Sequence, residues 1–223
     1  MSILSFDIGI NNLSYCILSP QNKIQGWKVL NISCCDKCNH IIKGVQCDKK
    51  ATHISENTLL CNSHSKLKMY TNIKKYKNKK DTIYNLSKNI INVFDSEPFQ
   101  NYTIEYVFIE NQPCLKNPIM KSIQMIVYSY FLIKLPLLKS VELCNACNKL
   151  KCYKGPHVIH PYTNNKNNKY KINKFLAIKY CTYMITNDDC IYIDLFSNSK
   201  KKDDLADSYL QGIYCNNKLL KDN

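Results

Sequence analysis

The sequence predicts an α/β domain with a mixed sheet, interrupted by cysteine-rich insertions. Three observations predict it. Apolar runs of strand length come first and are followed by segments of helical period alternating with further strands. Two stretches, 31–64 and 144–157, leave that pattern and concentrate cysteine and histidine. Single acids stand inside or just after apolar strands, where a lone carboxylate is costly to bury.

The elements follow in order. Residues 2–10, 13–18 and 24–30 read as a three-stranded meander, with Ser19, Pro20, Gln21 and Asn22 turning the chain between the last two. Residues 31–65 are a metal-binding insertion with little apolar periodicity. Residues 66–101, mostly a basic helix over 66–95, return the chain to the main domain; Ile83, Leu86, Ile90, Ile91 and Phe94 keep helical spacing and Pro98 ends it. A strand over 104–109 runs into Glu110. Ile119, Ile123, Ile126, Val127, Tyr130 and Phe131 mark an amphipathic helix. After the second cysteine cluster come a short strand at 158–160, a helix carrying Ile172 to Met184, a strand over 191–196 and a final helix over roughly 203–215. The main domain is thus 1–30 with 102–223, holding a second insertion at 144–157.

The chain has 223 residues and a net charge of +14. Such a basic balance points to a polyanionic partner, nucleic acid before an acidic membrane surface, although a lysine- and asparagine-rich coding bias supplies part of it. No 18-residue apolar run predicts a membrane span, and residues 1–10 lack the basic start of a secretory signal. Thirteen cysteines without such a signal fit an intracellular, reducing setting, with free thiols and zinc sites rather than disulfides. Such a setting includes an organelle as well as the cytoplasm. An actin-like phosphotransferase also opens on Asp-x-Gly but needs later glycine-rich loops, and the five glycines here are scattered.

Four carboxylates are the candidate catalytic residues and metal ligands. Asp7 lies within the first strand, with Gly9 permitting close backbone approach at the same sheet end. Glu110 follows the strand Val107-Phe108-Ile109. Asp204 and Asp207, three apart on a helix, share a face, while Asp203 reads as the helix N-cap. Hard oxygen ligands of this kind suit Mg²⁺ or Mn²⁺, which can activate a water at a phosphodiester.

The blocks Phe6-Asp7-Ile8-Gly9 with Asn11-Asn12-Leu13-Ser14-Tyr15, Ile109-Glu110-Asn111-Gln112, and Lys201-Lys202-Asp203-Asp204-Leu205-Ala206-Asp207-Ser208 resemble, in order and spacing, the RuvC-like Holliday junction resolvases. The branch in poxviruses, other large DNA viruses and fungal mitochondria is the most similar. The resemblance covers roughly 2–30 and 102–215. It implies an RNase H-like fold, a homodimer, and paired nicks across a four-way DNA junction using Mg²⁺ or Mn²⁺, with no small-molecule cofactor. It also implies that Asp7, Glu110, Asp204 and Asp207 hold the metal. Asn111 departs from the basic residue often found there.

The first cysteine cluster offers Cys35, Cys38, Cys47, Cys61 and His64, four of which suffice for a tetrahedral Zn²⁺ site; spacing alone leaves the surplus one open. The second, Cys144-x2-Cys147-x4-Cys152-x4-His157, has the spacing of a zinc knuckle with its last two ligands exchanged, but Lys151 replaces the usual glycine. Candidate DNA-contacting lysines are Lys74 and Lys75 beside the first cluster, Lys166 and Lys169 in a second basic run, and Lys200, Lys201 and Lys202 ahead of the acidic pair. Two alternatives remain at this level: an RNase H-like nuclease with another substrate, and a non-enzymatic, zinc-dependent nucleic-acid-binding protein.

Overall fold

A computed structural model describes residues 2–33, 36–76, 82–115, 117–162, 168–188 and 190–222. The chain divides into two compact units, one of residues 1–32 with 91–223 and one of residues 33–90. Strands β1 (Ser2–Ile8), β2 (Asn12–Leu18) and β3 (Ile24–Asn31) open the first unit. The second unit holds β4 (Ile41–Ile42), β5 (Val45–Gln46), β6 (His53–Ser55), β7 (Thr58–Leu60) and β8 (Lys74–Lys75). The division falls within α1 (Ile83–Asp95). Then follow β9 (Ile104–Glu110), α2 (Pro118–Lys134), β10 (Ser140–Cys144), α3 (Lys169–Asp188), α4 (Ile193–Asn198) and α5 (Lys202–Asp222).

The first unit is built on a five-stranded mixed sheet of order β10-β9-β1-β2-β3. β1, β2 and β3 form an antiparallel meander, whereas β9 joins β1 and β10 joins β9 in parallel. Both sheet faces are apolar, which is why β1 and β2 read as near-continuous hydrophobic runs. One face carries an aromatic cluster in which Phe6 meets Phe131 at 5.1 Å and Phe94 at 5.6 Å between ring centres. α5 packs on the other. Its Gln211 Nε2 donates to Ser5 Oγ (3.0 Å) and to the Phe6 carbonyl (3.1 Å), and the Ser14 and Ser208 hydroxyls share a 2.9 Å hydrogen bond. Gly212 makes this approach close: a Cβ there would stand 2.9 Å from Leu18 Cδ1. Trp27 stacks on Phe196 and donates through Nε1 to the Leu205 carbonyl at 3.1 Å, tying β3 to the start of α5.

The second unit pairs β4 with β5 in a hairpin and forms a small antiparallel sheet of order β7-β6-β8. Its buried cluster of Cys38, Leu60 and Cys61, with Cys47 and Tyr70 against it, is too small to hold so short a segment by apolar burial alone.

Some local expectations change. The helix expected over 66–95 begins only at Ile83; Lys74 and Lys75 lie in β8, because they pair with the edge of β6. The apolar run 191–196 is helical, in a 3-10 turn and α4, because Phe196 packs on Trp27 instead of entering the sheet. Residues 158–160 form no strand, and the fifth strand is β10, which the sequence reading missed. Its residues are half-buried or exposed at the sheet edge, so the apolar signal is weak.

Candidate active site

Three of the four acids converge. Asp7 comes from the end of β1 and Glu110 from the end of β9, its parallel neighbour. Parallel pairing puts both carboxyl ends on the same edge of the sheet, and Phe6 facing Ile109 sets Asp7 beside Glu110. Asp207 descends from α5, one turn before the Gln211 anchor. A Cβ at Gly9 would stand 2.6 Å from the Asn12 carbonyl oxygen, so only glycine fits the turn that follows Asp7.

At the centre of the three stands an ammonium group. Lys149 Nζ lies 2.8 Å from Asp207, 3.6 Å from Asp7 and 3.7 Å from Glu110. Its side chain is only 11% exposed. Lys149 belongs to a 3-10 helix (Ala146–Cys152) that follows β10, and the Asn145 side chain caps it by accepting from the Cys147 amide. Leu150 and Cys152 pack into the core of the first unit and so fix the helix that carries Lys149. Sequence reasoning missed Lys149. A lysine between cysteines carries no periodic signal, and only the pairing of β10 with β9 brings it to the carboxylates.

The electrostatics are those of a crowded anionic site. Burial pushes the Asp7 carboxyl well above the usual carboxylate range, and a hydrogen bond with Glu110 adds to this against the pull of Lys149. Asp207 is raised by burial too, although the Lys149 charge and hydrogen bond oppose it. For Lys149, burial disfavours the ammonium, yet Asp7, Asp207 and Glu110 together hold it above the ordinary lysine value. Three acids thus share one cation and remain short of positive charge. Oxygen donors gathered in this way fit a hard divalent cation.

Asp204 stands apart from the cluster, one turn back on α5, with its nearest ion-pair partner Lys201 at 3.5 Å. Burial raises its carboxyl, with the Asp203 charge adding to the shift. Asp203 is not the cap: the helix already includes Lys202, and the Asp203 carboxylate pairs with Lys174 of α3.

Of the first cysteine cluster, Cys38, Cys47, Cys61 and His64 come together, with one ligand atom from each lying within 4.8 Å of all the others. Cys35 lies outside the described residues. Burial opposes the thiolate of Cys61, but the backbone amides of His64 and Ser63 hold its value below normal. Burial and the nearby His40 and Lys49 charges lower the His64 value, which favours the neutral form that binds metal. Three sulfurs and one imidazole are a donor set suited to zinc.

The second cluster does not assemble. Among the described residues, the one gathered cysteine and histidine group is that of Cys38. Cys144 lies against Cys215 at 3.2 Å between sulfurs, and Cys147 and His157 are exposed. Cys152 is buried in the core, which pushes its thiol up to about 12. Cys144 and Cys152 serve packing, because β10 and the 3-10 helix lean on α5. Of the candidate lysines, Lys74, Lys75, Lys169, Lys200 and Lys201 are exposed and Lys202 is half-buried. Lys166 lies outside the described residues.

No family model matches the chain. An uncharacterized protein of Acanthamoeba polyphaga mimivirus is 30% identical to it, over 96% of this chain and 74% of that protein. This chain belongs to that protein's family. Solved structures are similar to this chain in fold. The yeast mitochondrial Holliday junction resolvase is similar with a TM-score of 0.51 and 14% identity, over 98% of this chain and 82% of that one. The fowlpox virus resolvase in complex with substrate Holliday junction DNA has a TM-score of 0.49 and 19% identity, over 99% of each chain. The likeness to the yeast mitochondrial structure is one of fold, and the expected mixed α/β sheet flanked by helices is the one observed. Among the described residues, no helix is long and apolar enough to cross a membrane.

Proposed function

We propose that this chain is a Holliday junction resolvase, a divalent-metal-dependent endonuclease that acts on four-way DNA junctions as a homodimer. The observation that carries this reading is the convergence of Asp7, Glu110 and Asp207 on one buried cation position at the edge of a mixed sheet. The carboxylates fit Mg²⁺ or Mn²⁺, with Asp204 one turn away as a fourth ligand. When bound, such an ion supplies Lewis acidity and an activated water at a scissile phosphate.

The chain's own residues do the rest. Asp7 and Glu110 hold their positions through the strand pairing, so the site needs little reorganisation. Asp207 is fixed by the hydrogen bonds of Gln211 and Ser208 to the sheet. Lys149 keeps the acids together before metal arrives and adds positive charge where a phosphate must approach. Lys200, Lys201 and Lys202 stand just ahead of the acids on the chain and contact the DNA backbone, which gives affinity without reading sequence. In the second unit, Cys38, Cys47, Cys61 and His64 hold a structural Zn²⁺, because four protein donors leave no open position for water.

The decisive assay offers a synthetic four-way junction, a linear duplex and an RNA–DNA hybrid, with and without Mg²⁺. Metal-dependent cleavage of the junction is expected, with Asp7→Asn and Asp207→Asn losing cleavage while still binding. Cleavage of the hybrid alone points to another RNase H-like nuclease. Cleavage that survives both substitutions removes the site assignment, and binding without cleavage by the unaltered chain leaves a nucleic-acid-binding protein.

A further inference from the structure

The hairpin of β4 and β5 has an unusual surface. Ile41, Ile42 and Val45 are 61%, 51% and 70% exposed. Ile42 pairs directly with Val45, so the two aliphatic side chains stand on one face of the tip. Aliphatic side chains gathered at an exposed tip mark a contact surface.

The tip is rigid. Its two-residue loop is Lys43-Gly44, with φ of 49° and 80°. Both values are positive, the signature of a type I′ turn, whose twist matches that of the strands. Asparagine, aspartate or glycine would take the first position at least cost, but a lysine occupies it and places a charge at the apex. The base is equally fixed. Cys38 and Cys47 flank the hairpin and belong to the gathered donor cluster. The Cys47 amide donates to the His40 carbonyl at 2.8 Å, and Gln46 Nε2 donates to the Cys38 carbonyl at 3.1 Å.

Charge selects the partner. From Ser33 to Ile90 the sequence has twelve lysines and four acids. An apolar tip on so basic a unit is complementary to an anion with apolar surfaces inside it, which describes stacked bases flanked by phosphates.

We infer that the β4–β5 hairpin is an apolar wedge that inserts Ile42 and Val45 between unstacked DNA bases while Lys43 meets the adjacent phosphate. Side chains of this kind separate base steps, and the unstacking costs least where pairing is already interrupted, as at a branch point. The inference rests on the DNA-binding reading above.

The test uses the full chain carrying Asp207→Asn, so that no strand is cut, and a four-way junction with 2-aminopurine at the branch point. The parent is expected to bind with a rise in fluorescence as the base unstacks. Adding Ile42→Ser with Val45→Ser, both at exposed positions, abolishes the rise and weakens junction binding about fivefold or more. Zinc content and circular dichroism equal to the parent's establish that the double variant folds. A parent that binds and a double variant with the same rise and affinity overturn the wedge alone. A double variant that binds DNA normally but loses self-association also overturns it, and gives the patch to a second copy. A parent that binds no junction overturns the junction reading, and the wedge with it.

Discussion

At the scale of single residues, the centre of the site is an imbalance of charge. Lys149 is the ammonium that Asp7, Glu110 and Asp207 share, and all four side chains are largely buried. Removing one partner from a buried ionic cluster strands the others, which costs more than the cluster itself contributes. Lys149→Met is therefore expected to destabilise the metal-free protein by about 2 kcal/mol or more, with Mg²⁺ restoring part of the loss. Urea denaturation with and without Mg²⁺ measures both. Equal stability of variant and parent would show that the lysine is not the countercharge. The acids of this cluster were legible in the sequence because strand ends and a helical repeat of three placed them. Lys149 was not, because its partners lie far away along the chain and nothing local marks it.

At the scale of elements, α5 is the part on which the site depends. It carries Asp204 and Asp207, lies on the sheet through Ser208, Gln211 and Gly212, and is gripped at its start by α3. That grip is the Lys174–Asp203 pair. Burial works against the Asp203 carboxylate, but the Lys174 hydrogen bond and charge prevail and hold its value below normal. A carboxylate depressed in the folded state stabilises above its ordinary titration range, and that contribution fades as pH falls through the depressed value. Asp203→Asn should therefore lower stability at pH 7 and leave it nearly unchanged once the pH falls below the depressed value. Lys174 is 40% exposed, so solvent screening keeps the difference under about 1 kcal/mol. Thermal denaturation across pH 3 to pH 7 checks the sign, and a difference that grows toward low pH contradicts it. The expectation of a cap at Asp203 failed for a related reason: a helix-start acid reads the same whether it caps its own backbone or pairs with a lysine from another helix.

At the scale of the whole molecule, two units rest on different sources of order. The first has a continuous apolar core on both faces of a five-stranded sheet. The second has a small core beside one gathered donor cluster. Purified protein is expected to contain one zinc per chain, because Cys144, Cys147, Cys152 and His157 are dispersed. Chelation should open residues 33–90 to proteolysis while the first unit keeps its protection against hydrogen exchange. Two zinc ions per chain would contradict the dispersal of the second cluster, and none would remove the metal from both. The sequence by itself determined the strands of the meander, the strand before Glu110, the long helices, the identity of the acids and the cysteine-rich character of the insertions. Those features follow from local period and from the cost of burying charge, which act over a few residues. The tertiary structure decided which thiols share a site, that the apolar run at 191–196 is helical, and that Asp7, Glu110 and Asp207 meet around Lys149 while Asp204 does not. These depend on which strand pairs with which and how deeply α5 lies on the sheet, and packing between distant segments sets both.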